Sequence, residues 1–267
     1  MNRGGAGVEE GGMDLTDLAG KVVLVTGASR GIGAAVARGF AHHGAAVGVH
    51  FHAARDAAEA VAADLRGSGV RAELFQADLS QAEAPSRLVA ETAARFGRID
   101  VLVNNAGDLV GRYAMSDTPD DLLETIYRLN IRSVVAASKA AVVAMKAQGG
   151  GCIINSSSLA ARNGGGGGSM LYAGSKGFVS TFTRGLAKDV ARDNIRVNAV
   201  APGIIETDLQ DRHTAPAVLA QLAQATPLGR NAPPEDCVGA YLFLASARMS
   251  GFITGQIIEV NGGILMP

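Results

Sequence analysis

Apolar residues along the chain fall into short continuous runs separated by longer amphipathic stretches. Residues 21–25 (Lys-Val-Val-Leu-Val) form a short run, apolar after Lys21 and rich in β-branched valine, which predicts a fully buried strand, and residues 34–41 predict a helix behind it. The alternation recurs as strands at 47–51, 71–77 and 99–103 with helices at 56–65 and 85–96 between them. A long helix is predicted over 120–147, because Thr118-Pro119 gives it a start signal. Strands at 152–155, 195–201 and 256–260 follow, with helices at 171–192, 216–225 and 234–245. Strands that are apolar on both faces and alternate with helices imply a parallel sheet covered on both sides. No linker or composition break divides residues 18–267, so one doubly wound α/β domain of about seven strands is expected. Residues 1–17 are rich in Gly and Glu and lack an apolar core. They read as a disordered lead-in rather than a signal peptide, with Met13 a candidate start. The glycine run at 164–168 is expected to be a mobile loop.

Composition narrows the class. Hydrophobic residues make up 48% of the 267, enough for a large core. A net charge of −1 gives no bulk electrostatic pull towards nucleic acid or a membrane surface. Cys152 and Cys237 match no metal-ligand spacing, so no metal is expected, and the reduced cytoplasm is the simplest compartment. No apolar run has the length of a membrane span.

The turn between the first strand and first helix carries the first chemistry. It reads Thr26-Gly27-Ala28-Ser29-Arg30-Gly31-Ile32-Gly33, a G-x-x-x-G-x-G spacing. Such glycines allow a tight reversal and close approach of backbone to a pyrophosphate, which the helix N-terminus then attracts. The alternative is a glycine-rich turn with no ligand. At the end of the second strand, where an acid would bond the ribose 2′-hydroxyl of NAD(H), the chain reads Val49-His50-Phe51-His52-Ala53-Ala54-Arg55, with no acid before Asp56. Arg30, His52 and Arg55 could instead surround a 2′-phosphate, so NADP(H) is expected over NAD(H). Against this, Arg55 could be a solvated helix-start residue and His52 a plain loop residue.

Tyr172 and Lys176 stand four apart on a predicted helix, hence on one face. With 4 Tyr among the 267 residues and lysine scarce, chance would supply about 0.07 such pairs. An ammonium beside a phenol favours the phenolate and lowers a pKa near 10, fitting the phenol for proton transfer to or from a carbonyl oxygen. Otherwise the pair is a packed tyrosine with an exposed lysine. Ser156-Ser157-Ser158 ends the fifth strand, where ligands sit in open α/β sheets, and a hydroxyl there can donate to a substrate oxygen. Asn104-Asn105-Ala106-Gly107 ends the fourth strand in the same way.

Together these segments resemble the short-chain dehydrogenase/reductase family, over about residues 18–263. Thr26–Gly33 resembles its T-G-x-x-x-G-x-G loop, Asn104–Gly107 its N-N-A-G, Tyr172 and Lys176 its Y-x-x-x-K, and Val260-Asn261-Gly262-Gly263 its C-terminal ending. The resemblance implies a single Rossmann-like domain. It implies Tyr172 as acid/base, Lys176 lowering its pKa and holding the nicotinamide ribose, Ser158 polarising the substrate carbonyl, and Asn130 holding a water in the proton relay. Ser158 is taken by matching the second serine of the family's I-S-S ending; its gap to Tyr172 is one residue longer than the family spacing, and the glycine run absorbs the extra residue. The implied cofactor-binding set is Gly27, Ser29, Arg30, Gly31, Ile32, Gly33, His52, Arg55, Asp78, Leu79, Asn104, Ala106, Gly107, Pro202, Gly203, Ile205 and Thr207, with Tyr172 and Lys176. In it Asp78 meets the adenine, Asn104 and Gly107 line the adenosine side, and Pro202–Thr207 covers the nicotinamide.

The implied reaction is NADP(H)-dependent reduction of a ketone to a secondary alcohol, or the reverse, on a small molecule. A homotetramer packed through the two long helices is implied too. The chain is similar to 3-oxoacyl-[acyl-carrier-protein] reductases, but lacks the basic residues that would dock an acidic carrier: it reads Ala147-Gln148-Gly149 at one place and Asp193 at the other. Carrier-protein reduction, a non-catalytic NADP(H)-binding regulator, and an epimerase or dehydratase stand as alternatives. The substrate lid is expected within 204–231, with Leu209, Leu219 and Leu222 as apolar candidates, although the last two at i, i+3 spacing suit ordinary helix packing.

Overall fold

Seven of the apolar runs become strands of one parallel sheet. The computed structural model describes residues 14–266. The strands are β1 Val22–Val25, β2 Ala46–Phe51, β3 Ala72–Gln76, β4 Val101–Asn104, β5 Gly151–Ser156, β6 Ile195–Pro202 and β7 Ile257–Val260, in the order β3-β2-β1-β4-β5-β6-β7. The helices are α1 Gly31–His42, α2 Arg55–Gly67, α3 Ala84–Phe96, α4 Leu122–Ile126, α5 Ser133–Ala147, α6 Ala160–Asn163 and α7 Met170–Val190. Beyond them come α8 Asp208–His213, α9 Pro216–Ala225, α10 Glu235–Ala245 and α11 Ala247–Ser250. All six strand pairings are parallel. This is the Rossmann-like doubly wound sheet predicted by the alternation of elements.

Two apolar layers cover the sheet. One joins β1, β2 and β4 to α1, α2 and α10 through Phe40, Val47, Leu65 and Tyr241. The other packs Leu24, Leu102 and Ile153 under α3, α5 and α7 through Leu88, Met145 and Ala187. β1, β4 and β5 are buried on both faces, which is why their sequences show no period of two.

Three expectations change. The helix predicted over 120–147 is two α-helices joined by a π-helical turn, Tyr127–Arg132, with Asn130 buried inside it. The glycine run is not loose: the Tyr113 amide donates to Gly168 O, Arg112 Nη1 to Gly167 O, and Gly164, Gly165 and Gly168 take positive φ. The expected lead-in falls chiefly on residues outside those described. Its last part, from Asp14, is held: Ser246 Oγ donates to Asp17 at 2.7 Å, and Leu15 packs on the core.

Candidate active site

The sheet order reverses between β1 and β4, so their C-terminal ends open a crevice. Thr26, at the end of β1, ties the two sides together. Its hydroxyl accepts from the amides of Asn105 and Ala106, both at 2.9 Å, and its carbonyl accepts from Asn105 Nδ2 at 3.0 Å. The glycine turn lies above it, with Gly27 and Gly31 at φ +65 and +54. Gly33 has no room for a side chain: a Cβ there would overlap the Gly27 carbonyl oxygen and come within 2.6 Å of Asn105 Nδ2. α1 begins at Gly31 with Arg30 as its cap residue and no side chain capping it, and its first residues Gly31 and Ile32 line the cavity.

His50 braces this turn, a role that local sequence reading passed over in favour of His52. Its Nδ1 accepts from the Gly27 amide at 2.9 Å. The other ring nitrogen must therefore carry the proton, which it donates to Ala77 O at 3.1 Å. Burial pushes the imidazole down from 6.5 to about 4, against the pull of the Ala77 carbonyl and with help from His52. A lowered folded pKa gives stability that is complete above pH 6.5 and is lost as pH falls towards 4. The loss should reach about 3 kcal/mol at about 1.4 kcal/mol per pH unit. Urea unfolding of the wild type and His50→Gln between pH 7 and pH 4.5 should show this share of the slope only in the wild type; equal slopes would remove the assignment.

One cavity of about 550 Å³ collects most of the candidate residues. Gly27, Ser29, Arg30, Gly31, Ile32, His52, Asp78, Leu79, Ala106, Gly107, Ser158, Tyr172, Lys176, Pro202, Gly203, Ile205 and Thr207 line it. Gly33, Arg55, Asn104 and Asn130 do not. Gly33 acts by making room for the turn. Arg55 lies over the Phe51 ring, 5.9 Å from its centroid. Asn104 turns away from the cavity, where Nδ2 donates to Ser138 Oγ on α5 and Asn155 Oδ1 on β5. Asn130 is buried behind the cavity, clamping Asp108: Oδ1 accepts from the Asp108 amide at 3.0 Å and Nδ2 donates to Asp108 O at 2.9 Å. The Asp78 carboxylate is engaged by the Ser80 hydroxyl and amide, which hold it below the usual carboxylate range.

Three hydroxyls end β5, and the structure separates them. Ser156 Oγ pairs with the Tyr241 hydroxyl at 2.7 Å and Ser157 Oγ with Ser180 Oγ at 2.6 Å, both buried. Ser158 lies in the cavity, accepts from the Ala160 amide at 3.1 Å, and acts on the Tyr172 phenol.

The Tyr172–Lys176 electrostatics differ from the expectation. Burial pushes the phenol up; the Ser158 hydroxyl opposes the rise and the Asp108 carboxylate adds to it. Lys176 Nζ donates to Ser156 O at 2.8 Å and lies 5.7 Å from the centre of the Tyr172 ring, over its face. Burial pushes Lys176 itself down to about 8.

Helix α8 lines the cavity from within the segment 204–231 where the lid is expected; the helix itself was not predicted, because six residues carry no recognisable period. Leu209 lines the cavity from it, while Leu219 and Leu222 do not. Arg212 Nη1 donates to Asp108 Oδ2 at 2.9 Å. Arg112 Nε donates to His213 O at 2.8 Å.

A doubly wound sheet with a glycine turn at its switch point places the chain among the nucleotide-binding α/β folds, and comparison with known proteins gives the family. A family model described as enoyl-(acyl carrier protein) reductase matches residues 27–265, and the chain belongs to the short-chain dehydrogenase/reductase family. It is 38% identical to a 3-oxoacyl-[acyl-carrier-protein] reductase of Synechocystis sp., over 94% of this chain and 100% of that one. The structure of an NADH-dependent reductase complexed with NAD superposes with a TM-score of 0.84 at 36% identity, covering 95% of this chain and 100% of the other. A gluconate 5-dehydrogenase from Burkholderia cenocepacia in complex with NADP and tartrate gives a TM-score of 0.86 at 34% identity, covering 94% and 98%.

Proposed function

We propose that the chain uses NADP(H) to interconvert a ketone and a secondary alcohol on a small molecule. The observation that carries this is the single cavity in which Ser158, Tyr172 and Lys176 meet the glycine turn and the open N-terminus of α1. The missing side chain at Gly33 and the unused first amides of α1 suit a pyrophosphate, so the residues fit a dinucleotide. Arg30 and His52 line the cavity, and the chain from Val49 to Arg55 at the end of β2 carries no acid, which supports a 2′-phosphate there. The bound nicotinamide supplies or accepts the hydride. Ser158 donates a hydrogen bond to the substrate oxygen, and Tyr172 donates the proton to that oxygen in reduction or takes it in oxidation. Lys176, with its Nζ close to Gly107, holds the nicotinamide ribose. Asn130 acts from behind by fixing Asp108 and the Gly107 backbone next to Lys176.

A second reading, reduction of a carrier-bound 3-oxoacyl group, is favoured by the Synechocystis relative and by the description of the family model. The surface speaks against it. Lys146, at the end of α5, is neutralised by Asp193 at 2.8 Å. Gln148 is spent inside the fold, donating to Ile99 O at 2.7 Å. NADPH oxidation with a free 3-oxoacyl thioester, its carrier-bound form and a panel of small ketones and diketones separates the readings. Turnover on free ketones without improvement by the carrier is expected. A large gain from carrier attachment would install the second reading, and NADPH binding without turnover on any of them would favour a regulator.

A further inference from the structure

Two ion pairs hold the lid helix α8 at opposite ends. At its far end Arg212 pairs with Asp108 beside Tyr172. At its first residue Asp208 Oδ2 accepts from Arg30 Nη1 at 2.6 Å, across 178 positions of sequence. The contact continues through Thr207, whose methyl lies 3.2 Å from where a Cβ of Gly31 would stand, so the start of the lid rests on the glycine turn. Arg30 thus belongs to two systems: it lines the cavity, where the proposed function has it meet a 2′-phosphate, and it tethers the lid.

The Arg30 guanidinium holds the Asp208 carboxyl below the usual carboxylate range, so the tether is ionised at neutral pH. A 2′-phosphate reaching Arg30 brings close to two negative charges to a cation that already carries one partner. It must displace Asp208 or sit beside it against like-charge repulsion. A ribose with a free 2′-hydroxyl makes no such demand.

We propose that Asp208 sets the cofactor preference by competing with the 2′-phosphate of NADP(H) for Arg30, so that NADP(H) releases the N-terminal tether of the lid and NAD(H) leaves it fastened. This rests on the reading that Arg30 meets the 2′-phosphate. Both partners are about half exposed, so the competition is worth a small factor in affinity rather than a switch.

The test is equilibrium binding, read by the fluorescence of the reduced nicotinamide, with NADPH and NADH separately. Asp208→Asn is expected to tighten NADPH about two- to five-fold and leave NADH unchanged. Arg30→Ala is expected to weaken NADPH alone, and in that background Asp208→Asn should have no further effect. Arg212→Gln loosens the other end of the lid and should not alter the NADPH-to-NADH ratio. If Arg30→Ala leaves NADPH affinity intact, the 2′-phosphate reading fails and the inference with it. If Arg30→Ala weakens NADPH while Asp208→Asn does not tighten it, only the inference falls. Equal tightening of both cofactors by Asp208→Asn would also overturn it, since general loosening of the lid would then suffice.

Discussion

Tyr172→Phe is expected to lower turnover about 10²- to 10⁴-fold while leaving NADPH affinity within a factor of two. The phenol is the titratable hydroxyl that shares the cavity with Ser158, and Phe keeps its volume and its ring beneath Lys176. Removing one oxygen therefore removes the proton donor without opening a void. Single-turnover kinetics with a saturating ketone should show the loss in the chemical step. If turnover stays normal, the proton comes from elsewhere and the acid/base role is lost. Because burial raises the phenol, the neutral phenol is the resting form, as a proton donor for reduction requires.

The second large effect is expected at Gly33. Alanine stabilises helix interiors relative to glycine by about 1 kcal/mol, so on propensity alone Gly33→Ala would help. The structure predicts the reverse. The new methyl would overlap the Gly27 carbonyl oxygen in the turn and press on Asn105 Nδ2, which grips the turn from the end of β4, where we propose the cofactor binds. Forcing a methyl into closed packing costs about 1–3 kcal/mol, so NADPH affinity should fall roughly 5- to 150-fold as the turn shifts. Gly67→Ala, at the end of α2 with nothing nearby, is the control and should be neutral or slightly stabilising. Equal NADPH affinity in wild type and Gly33→Ala would show that the turn yields freely.

Element order was legible in the sequence because strands buried on both faces are written as unbroken apolar runs, and amphipathic helices between them leave no other sheet. The glycine turn and the Tyr172–Lys176 pair were legible because their spacing is local. What was not legible depends on contacts across long separations. Asn104 carries the right residue type at a strand end, yet its side chain turns between β5 and α5 to meet Asn155 and Ser138. His50 looked like one strand residue among others until Gly27 and Ala77 were placed on either side of its ring. The glycine run looked loose because its order comes from Arg112 and Tyr113, over fifty positions away. The π-helical turn at Asn130 was read as plain helix because periodicity does not register one extra residue in a turn.

The brace at Thr26 bears on how truncated copies of such a gene should be understood. A polypeptide ending at Val103 would hold every residue of the glycine turn, and any scan for that signature would score it in full. It would lack the Asn105 and Ala106 amides that converge on the Thr26 hydroxyl, and the carboxamide that grips the Thr26 carbonyl. The signature and the groups that brace it are thus encoded about eighty codons apart, and a fragment can inherit the first without the second.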